Sequence, residues 1–218
     1  MRTMTMIFRN CVGAAVLAAL SVPVLAPLEQ AYAAAPAQAR PLDEAVAALR
    51  AISTMKADFV QTDRNGKVLR GTLTLKRPGR IRFQYEPGAR MLIVGDGKAL
   101  TMVDYAVRQV QRWPIGNSPL GALLDPRRDV AKFGKTIPTG NPNVVSIEVR
   151  DARHPEYGVI TLIFTRKPSA PAGLELSYWV ALDSQNQRTT IALSNQRDGI
   201  PVGDNDFRWN DPRPRSRR

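Results

Sequence analysis

One cysteine and one histidine are all that the 218 residues contain of the two side chains most used to hold metals. A zinc site needs further His or Cys ligands, and there are none. A Ser-His-Asp hydrolase would have to use His154, in the turn Arg153-His154-Pro155-Glu156, and no Gly-x-Ser-x-Gly elbow occurs. Gly95-Asp96-Gly97-Lys98 lacks the earlier glycine of a phosphate loop, with Leu92 in its place. It also has Ala99 where Ser or Thr would bind magnesium, so it reads as a hairpin turn. With no ATP site, any energy used must come from a partner. Paired carboxylates remain, but Asp96 and Asp104 sit near turns, where acids serve structure. Acids are also scarce: 19 against 31 Lys and Arg, a formal net charge of +12.

Long apolar runs are equally scarce. Cys11 to Leu28 is one, broken by Pro23 and Pro27, preceded by Arg2 and Arg9 and followed by Ala31-Tyr32-Ala33. That is the pattern of a cleaved export signal over residues 1–33, and it is too short and too interrupted for a spanning anchor. Cys11 lies inside it, so the exported chain has no cysteine and must rely on burial and backbone pairing. A bacterial periplasm fits this combination. No second run of spanning length follows, and a single domain is expected over 41–211. Residues 34–40 read as a flexible leader, and 212–218 (Pro212-Arg213-Pro214-Arg215-Ser216-Arg217-Arg218) as a disordered basic tail. Outside the cytoplasm, so basic a chain suits anionic headgroups, an acidic protein partner, or solubility alone.

What the chain does have is period-two alternation, clearest between Arg70 and Val94. Leu73 and Leu75 share one face against Thr72, Thr74 and Lys76, and Ile81, Phe83 and Tyr85 alternate with Arg80, Arg82 and Gln84. Pro78-Gly79 and Pro87-Gly88 suit type II turns between strands. Met91-Leu92-Ile93-Val94 is apolar throughout, as a strand covered on both sides would be. The alternation sets Phe83 and Tyr85 opposite the arginines, which argues against a stacking platform for nucleic acid. Instead, a curved antiparallel meander with one hydrocarbon-like wall is expected. Leu73, Leu75, Ile81, Phe83, Tyr85, Leu92, Leu100 and Met102 are its candidate lining.

A helix is expected from Pro41, with Leu42, Ala45, Val46, Leu49 and Ile52 at helical spacing. Phe59 begins the sheet, Asp63-Arg64-Asn65-Gly66 is a tight turn, and strands follow around 99–103 and 107–113. Ser118 can cap and Pro119 can open a short helix whose stripe is Leu120, Leu123 and Leu124. Such an insertion has to lie against a face of the sheet. Residues 129–137 are ambiguous. Val145, Ile147 and Val149 alternate, 159–164 forms a strand, and Leu174, Leu176, Tyr178, Val180 and Leu182 alternate along another. Asp183–Gln187 turns back into 189–193, and Asp206-Phe207-Arg208-Trp209 reads as a last short strand. The sum is ten or eleven strands with two helices, a mainly β chain whose large sheet must curl into an incomplete barrel closed by helices.

Several short motifs, in this order, resemble the outer-membrane lipoprotein carrier family (LolA type). They are Ala57-Asp58-Phe59-Val60-Gln61-Thr62, Gly71-Thr72-Leu73, Lys76-Arg77-Pro78-Gly79-Arg80 and Leu92-Ile93-Val94 followed by Asp96-Gly97-Lys98. Asn117-Ser118-Pro119-Leu120-Gly121-Ala122-Leu123-Leu124 is similar to its lid helix, and Gln187-Arg188-Thr189 and Asp206-Phe207 to its closing strands. The resemblance runs from Leu42 to Pro212. It implies a half-barrel with a helical lid over an apolar cavity, and a periplasmic chaperone rather than an enzyme, without cofactor or metal. Its cargo would be lipoproteins, received from an inner-membrane ATP-driven release complex and handed to an outer-membrane acceptor by a monomer. It further implies that Arg77 latches the lid, Pro119 to Leu124. One departure is Ile81, where family members often carry an aromatic on the cavity side, which implies a looser or altered fit to acyl chains.

Three other readings remain open on the residues. A same-fold carrier or sensor of another lipid or envelope signal differs only in cargo. A carboxylate-dependent lipid or glycan hydrolase would lose turnover in Asp→Asn or Glu→Gln variants. A purely structural sheet protein would have no use for the helix 119–124 over an apolar face.

Overall fold

The computed structural model describes residues 40–214 apart from 117, 126 and 127. The export signal expected over 1–33, the leader except Arg40, Asn117 of the lid motif and tail residues 215–218 lie outside the described residues.

Helix α1 (Pro41–Ala51) starts on a proline and carries Asp43 and Glu44 in its first turn, where the helix dipole favours negative charge. Its apolar stripe, Ala45, Val46, Ala48 and Leu49, is buried. Among the described residues eleven strands follow: β1 (Thr54–Asp63), β2 (Val68–Lys76), β3 (Arg80–Tyr85), β4 (Met91–Asp96), β5 (Ala99–Asp104), β6 (Gln109–Pro114), β7 (Gly134–Ile137), β8 (Val144–Arg150), β9 (Val159–Arg166), β10 (Leu174–Leu182) and β11 (Arg188–Asp198). Helix α2 (Pro119–Leu124) separates β6 from β7. The strands form one antiparallel sheet in the order β6-β5-β4-β3-β2-β1-β11-β10-β9-β8-β7. The chain is thus two meanders joined where β1 pairs with β11. Edge strands β6 and β7 do not meet, so the sheet is open, as the expected incomplete barrel requires.

Several local expectations need correction. The break at Pro78-Gly79 is a hairpin, but Lys76 pairs with Arg80 around three residues, the Arg77–Pro78 peptide is cis, and Gly79 takes φ +79°. Pro87–Ala89 forms a 3-10 turn, followed by Arg90 at φ +50°. Val107 lies at a hairpin tip, and its strand begins at Gln109. The ambiguous stretch 129–137 ends in β7. Along β10 the pairing with β9 slips between Leu176 and Tyr178, so the straight alternation read from the sequence breaks there. Tyr178 turns out to solvent and Trp179 takes the inner position. A bulge has this effect because one extra residue reverses the facing of all that follow.

Residues 206–209 do not form a strand. Asp204–Phe207 is a 3-10 turn lying on β3 and β4. Val202 and Phe207 bury themselves against Leu92, Val94 and Val103 on the outer face of the sheet. Lys76 (2.6 Å) and Arg80 (2.7 Å) both grip the Asp204 carboxylate. Arg80 also stacks over the Phe207 ring, and Arg82 donates to the Arg208 carbonyl at 2.8 Å. Met91–Val94 is therefore covered on both faces, as its unbroken apolar run suggests.

Candidate functional site

Strand register defines the inner wall. Directly opposed residues share a face, and two rows cross the first meander. One runs Met55, Leu75, Ile81, Gly95, Leu100, Trp113, and the other Ala57, Leu73, Phe83, Ile93, Met102, Gln111. Phe59, Gly71 and Tyr85 form a third, shorter row. Seven of the eight candidate lining residues stand on these rows. The exception is Leu92, which pairs with Gln84 and Val103 on the outer face, 1 % exposed under the C-terminal segment. In a run apolar at every position, alternation cannot say which half faces inward. Here Ile93 and Met91 do.

The wall is not an open hollow. Leu73, Leu75, Ile81, Phe83 and Tyr85 are between 1 % and 7 % exposed, closed over by the chain's own side chains. Phe59 fills the centre, edge-on to Phe83 (5.3 Å between centroids) and Tyr85 (5.1 Å), and Trp179 meets Phe83 at 6.4 Å. Helix α2 covers the seam. Ala122 and Leu123 pack with α1 and the β8–β10 wall, Leu124 with the first meander, and Leu120 with both. Leu100 and Met102 are half-buried, and Trp113, at the end of its row, is 43 % exposed. The rows therefore run from under the helix to an uncovered end at β6.

Helix α2 is fastened at both ends. At its start Ser118 Oγ accepts from the Gly121 N–H (3.2 Å) and donates to the Ile115 carbonyl (2.8 Å), with Pro119 at the first helical position as expected. At its end the last carbonyls of a helix lack internal partners. Arg77 Nη1 donates to the Leu123 carbonyl at 2.5 Å, and the Gly79 N–H donates to the Leu124 carbonyl at 2.8 Å. The Arg77 N–H in turn donates to the Ser53 carbonyl (2.8 Å), tying the loop back to the start of the sheet. Burial pushes the Arg77 guanidinium down to about 10, against an opposing pull from Asp125, and its Nε is buried without a hydrogen-bond partner among the described residues. It remains charged at neutral pH, so a poorly hydrated cation lies at the end of α2.

Tyr85 is sealed in the same wall. Its hydroxyl donates to Gln61 Oε1 at 2.6 Å, and burial pushes the phenol up to about 12. A phenol raised above its unfolded value contributes stability that is whole below pH about 10 and lost as the pH climbs towards 12. The phenolate absorbance by which wild type exceeds Tyr85→Phe should thus develop only as the pH nears 12. Ionisation near pH 10 would show that the wall admits water.

The other candidate chemistries disperse. His154 lies in the β8–β9 turn, with Nδ1 2.9 Å from Glu156, and both are exposed. Asp96 closes the β4–β5 turn. Partial burial works against its charge, but the Ala99 and Lys98 N–H groups and Arg112 outweigh it and hold the carboxyl low. Sequence reasoning missed Trp179, hidden by the β10 bulge, and Gly79, whose part is played by a backbone N–H that no side-chain pattern reports.

Comparison with known proteins gives one family: outer membrane lipoprotein carrier protein LolA, matched over residues 50–210. An outer-membrane lipoprotein carrier protein of Chromobacterium violaceum is 38% identical over 109 residues, 47% of this chain and 52% of that one. One of Xanthomonas oryzae pv. oryzae is 28% identical over 179 residues, 73% of this chain and 79% of that one. An uncharacterized protein of Rickettsia prowazekii is 30% identical over 116 residues, 52% of this chain and 54% of that one. The match thus spans about half the length of the first and third of these relatives.

Proposed function

Because the chain belongs to the outer membrane lipoprotein carrier family LolA, we propose that it is a periplasmic chaperone that holds lipoprotein acyl chains against the inner wall of its half-barrel. It takes them from an ATP-driven release complex in the inner membrane and yields them to an acceptor at the outer membrane, without catalysis of its own. The observation that carries the reading is the fastening of α2. Its leucines lie on apolar rows, while the two carbonyls at its end accept polar bonds from Arg77 and Gly79.

The physics supports such a device. Each buried methylene is worth about 0.8 kcal/mol, so an acyl chain of ~16 carbons does not leave a bilayer unaided. A carrier must match that apolar surface and then give it up. A wall that covers itself with its own helix when empty offsets part of the binding energy and keeps transfer reversible. Leu73, Leu75, Ile81, Phe83, Tyr85, Leu100 and Met102 are the lining an acyl chain meets once Leu120, Leu123 and Leu124 move aside.

The test is to purify the protein from a cell envelope and analyse what accompanies it by mass spectrometry. Triacylated polypeptide is the expected companion. Free phospholipid alone would point to a carrier of another lipid, and no bound acyl group at all would end the reading.

A further inference from the structure

Strand β6 ends the sheet, and among the described residues β5 is its one strand partner. Every residue of β6 except Val110 is exposed, whereas the opposite edge, β7, is only four residues long. One bond sets the direction of the β6 backbone groups: the Ile115 N–H donates to the Lys98 carbonyl at 2.9 Å. Bonded and non-bonded pairs alternate along an antiparallel ladder. The pairs Leu100–Trp113, Met102–Gln111 and Asp104–Gln109 are therefore the bonded ones, and the odd-numbered residues of β6 spend their polar groups on β5. The N–H and carbonyl groups of Val110 and Arg112, and the carbonyl of Pro114, face away from the sheet. Pro114, which has no N–H, stands at an outward position, the placement an edge strand tolerates.

We propose that β6 takes up an extended stretch of the cargo lipoprotein's own polypeptide as a twelfth strand, next to the acyl chains on the inner wall. This rests on the carrier reading and adds how the protein part of the cargo is held. Position argues for it. The row from Met55 to Leu100 ends at Trp113, on β6 itself, and it is there that the apolar wall is uncovered. A lipid lying along that row brings its attached peptide out over the free edge. Chemistry argues for it as well. Lipoproteins that share a lipid but not a sequence have only the main chain in common beyond it. In strand addition the main-chain hydrogen bonds supply the affinity, and they are common to every sequence.

The probe is a synthetic tripalmitoylated cysteinyl hexapeptide, compared with two forms N-methylated at alternate residues, even in one and odd in the other. The lipid pins the register, so only one alternate set of peptide N–H groups faces β6. Calorimetric titration of the wild-type protein should find one methylated form bound about tenfold more weakly than the parent and the other nearly unchanged. Arg112→Pro removes an outward N–H and spares every bond to β5, and it should weaken the parent peptide about fivefold. Should that variant misfold, the two methylated peptides on wild type decide alone. Tight binding of all three peptides with equal affinity overturns the edge proposal and leaves the carrier reading standing. Failure of every acylated peptide to bind overturns both.

Discussion

Gly121→Val holds the lid off the sheet. A Cβ at Gly121 would stand 2.1 Å from the Ile115 carbonyl oxygen, which already accepts from both the N–H and the Oγ of Ser118. The oxygen is main chain and a Cβ is fixed by the backbone, so no rotamer relieves the clash, and the helix has to lift. Leu123 and Leu124, each 2 % exposed, then lose their burial. At ~1.5–3 kcal/mol for each fully buried leucine, the displacement costs roughly 3–6 kcal/mol, much of the stability of a typical domain. The expected result is a strong rise in fluorescence of an apolar dye, with the sheet's circular dichroism preserved. Acyl-chain affinity should also rise, since the binding-competent state no longer has to be selected from a closed majority. A variant that excludes the dye as well as wild type does would mean that α2 is not a separable cover.

Arg77→Leu is expected to load cargo and fail to deliver it, while its global stability changes little. Two large terms nearly cancel. Burial that brings the guanidinium down to about 10 costs the folded chain on the order of 3 kcal/mol at neutral pH, and leucine removes that cost. Leucine also removes a charge-assisted bond to the Leu123 carbonyl, worth ~1.5–3 kcal/mol. The sign for pH follows from the lowered value. The penalty, which burial in the folded chain imposes, is whole below pH about 10 and is relieved as the pH rises through it towards the value of a free guanidinium. What the substitution takes away specifically is the polar bond that forms as the lid shuts. Closure is what competes with bound acyl chains, so losing the bond shifts the balance towards the loaded form by ~10- to 100-fold. Transfer from the purified loaded protein to acceptor vesicles should slow by that order, with loading intact. Delivery at the wild-type rate would remove Arg77 from the latch role and leave it an ordinary cover of the sheet edge.

Much of the inner wall was legible because period-two alternation between Leu73 and Tyr85 survives folding without a slip. The capped start of α2 was legible for a similar reason: Ser118-Pro119 is local chemistry, and it formed as read. What escaped is non-local or turns on a single residue. The slip beside Ser177 exchanged Tyr178 for Trp179, and nothing in the alternation announces it. Leu92 reads as inward because its neighbours are as apolar as it is. The cover that makes the outer face greasy comes from Val202 and Phe207, more than a hundred residues later. Even the grip on α2 divides this way. Arg77 could be nominated, while Gly79 could not, since the bond is made by an amide every residue but proline has.

The seal formed by Val202 and Phe207 bears on how far the molecule can yield. Leu92, Val94 and Val103 are covered from the face of the strands opposite to α2, and the salt links from Lys76 and Arg80 to Asp204 lie on that same outer side. The sheet thus resembles a wall insulated on its weather side, whose indoor panelling can be stripped and refitted.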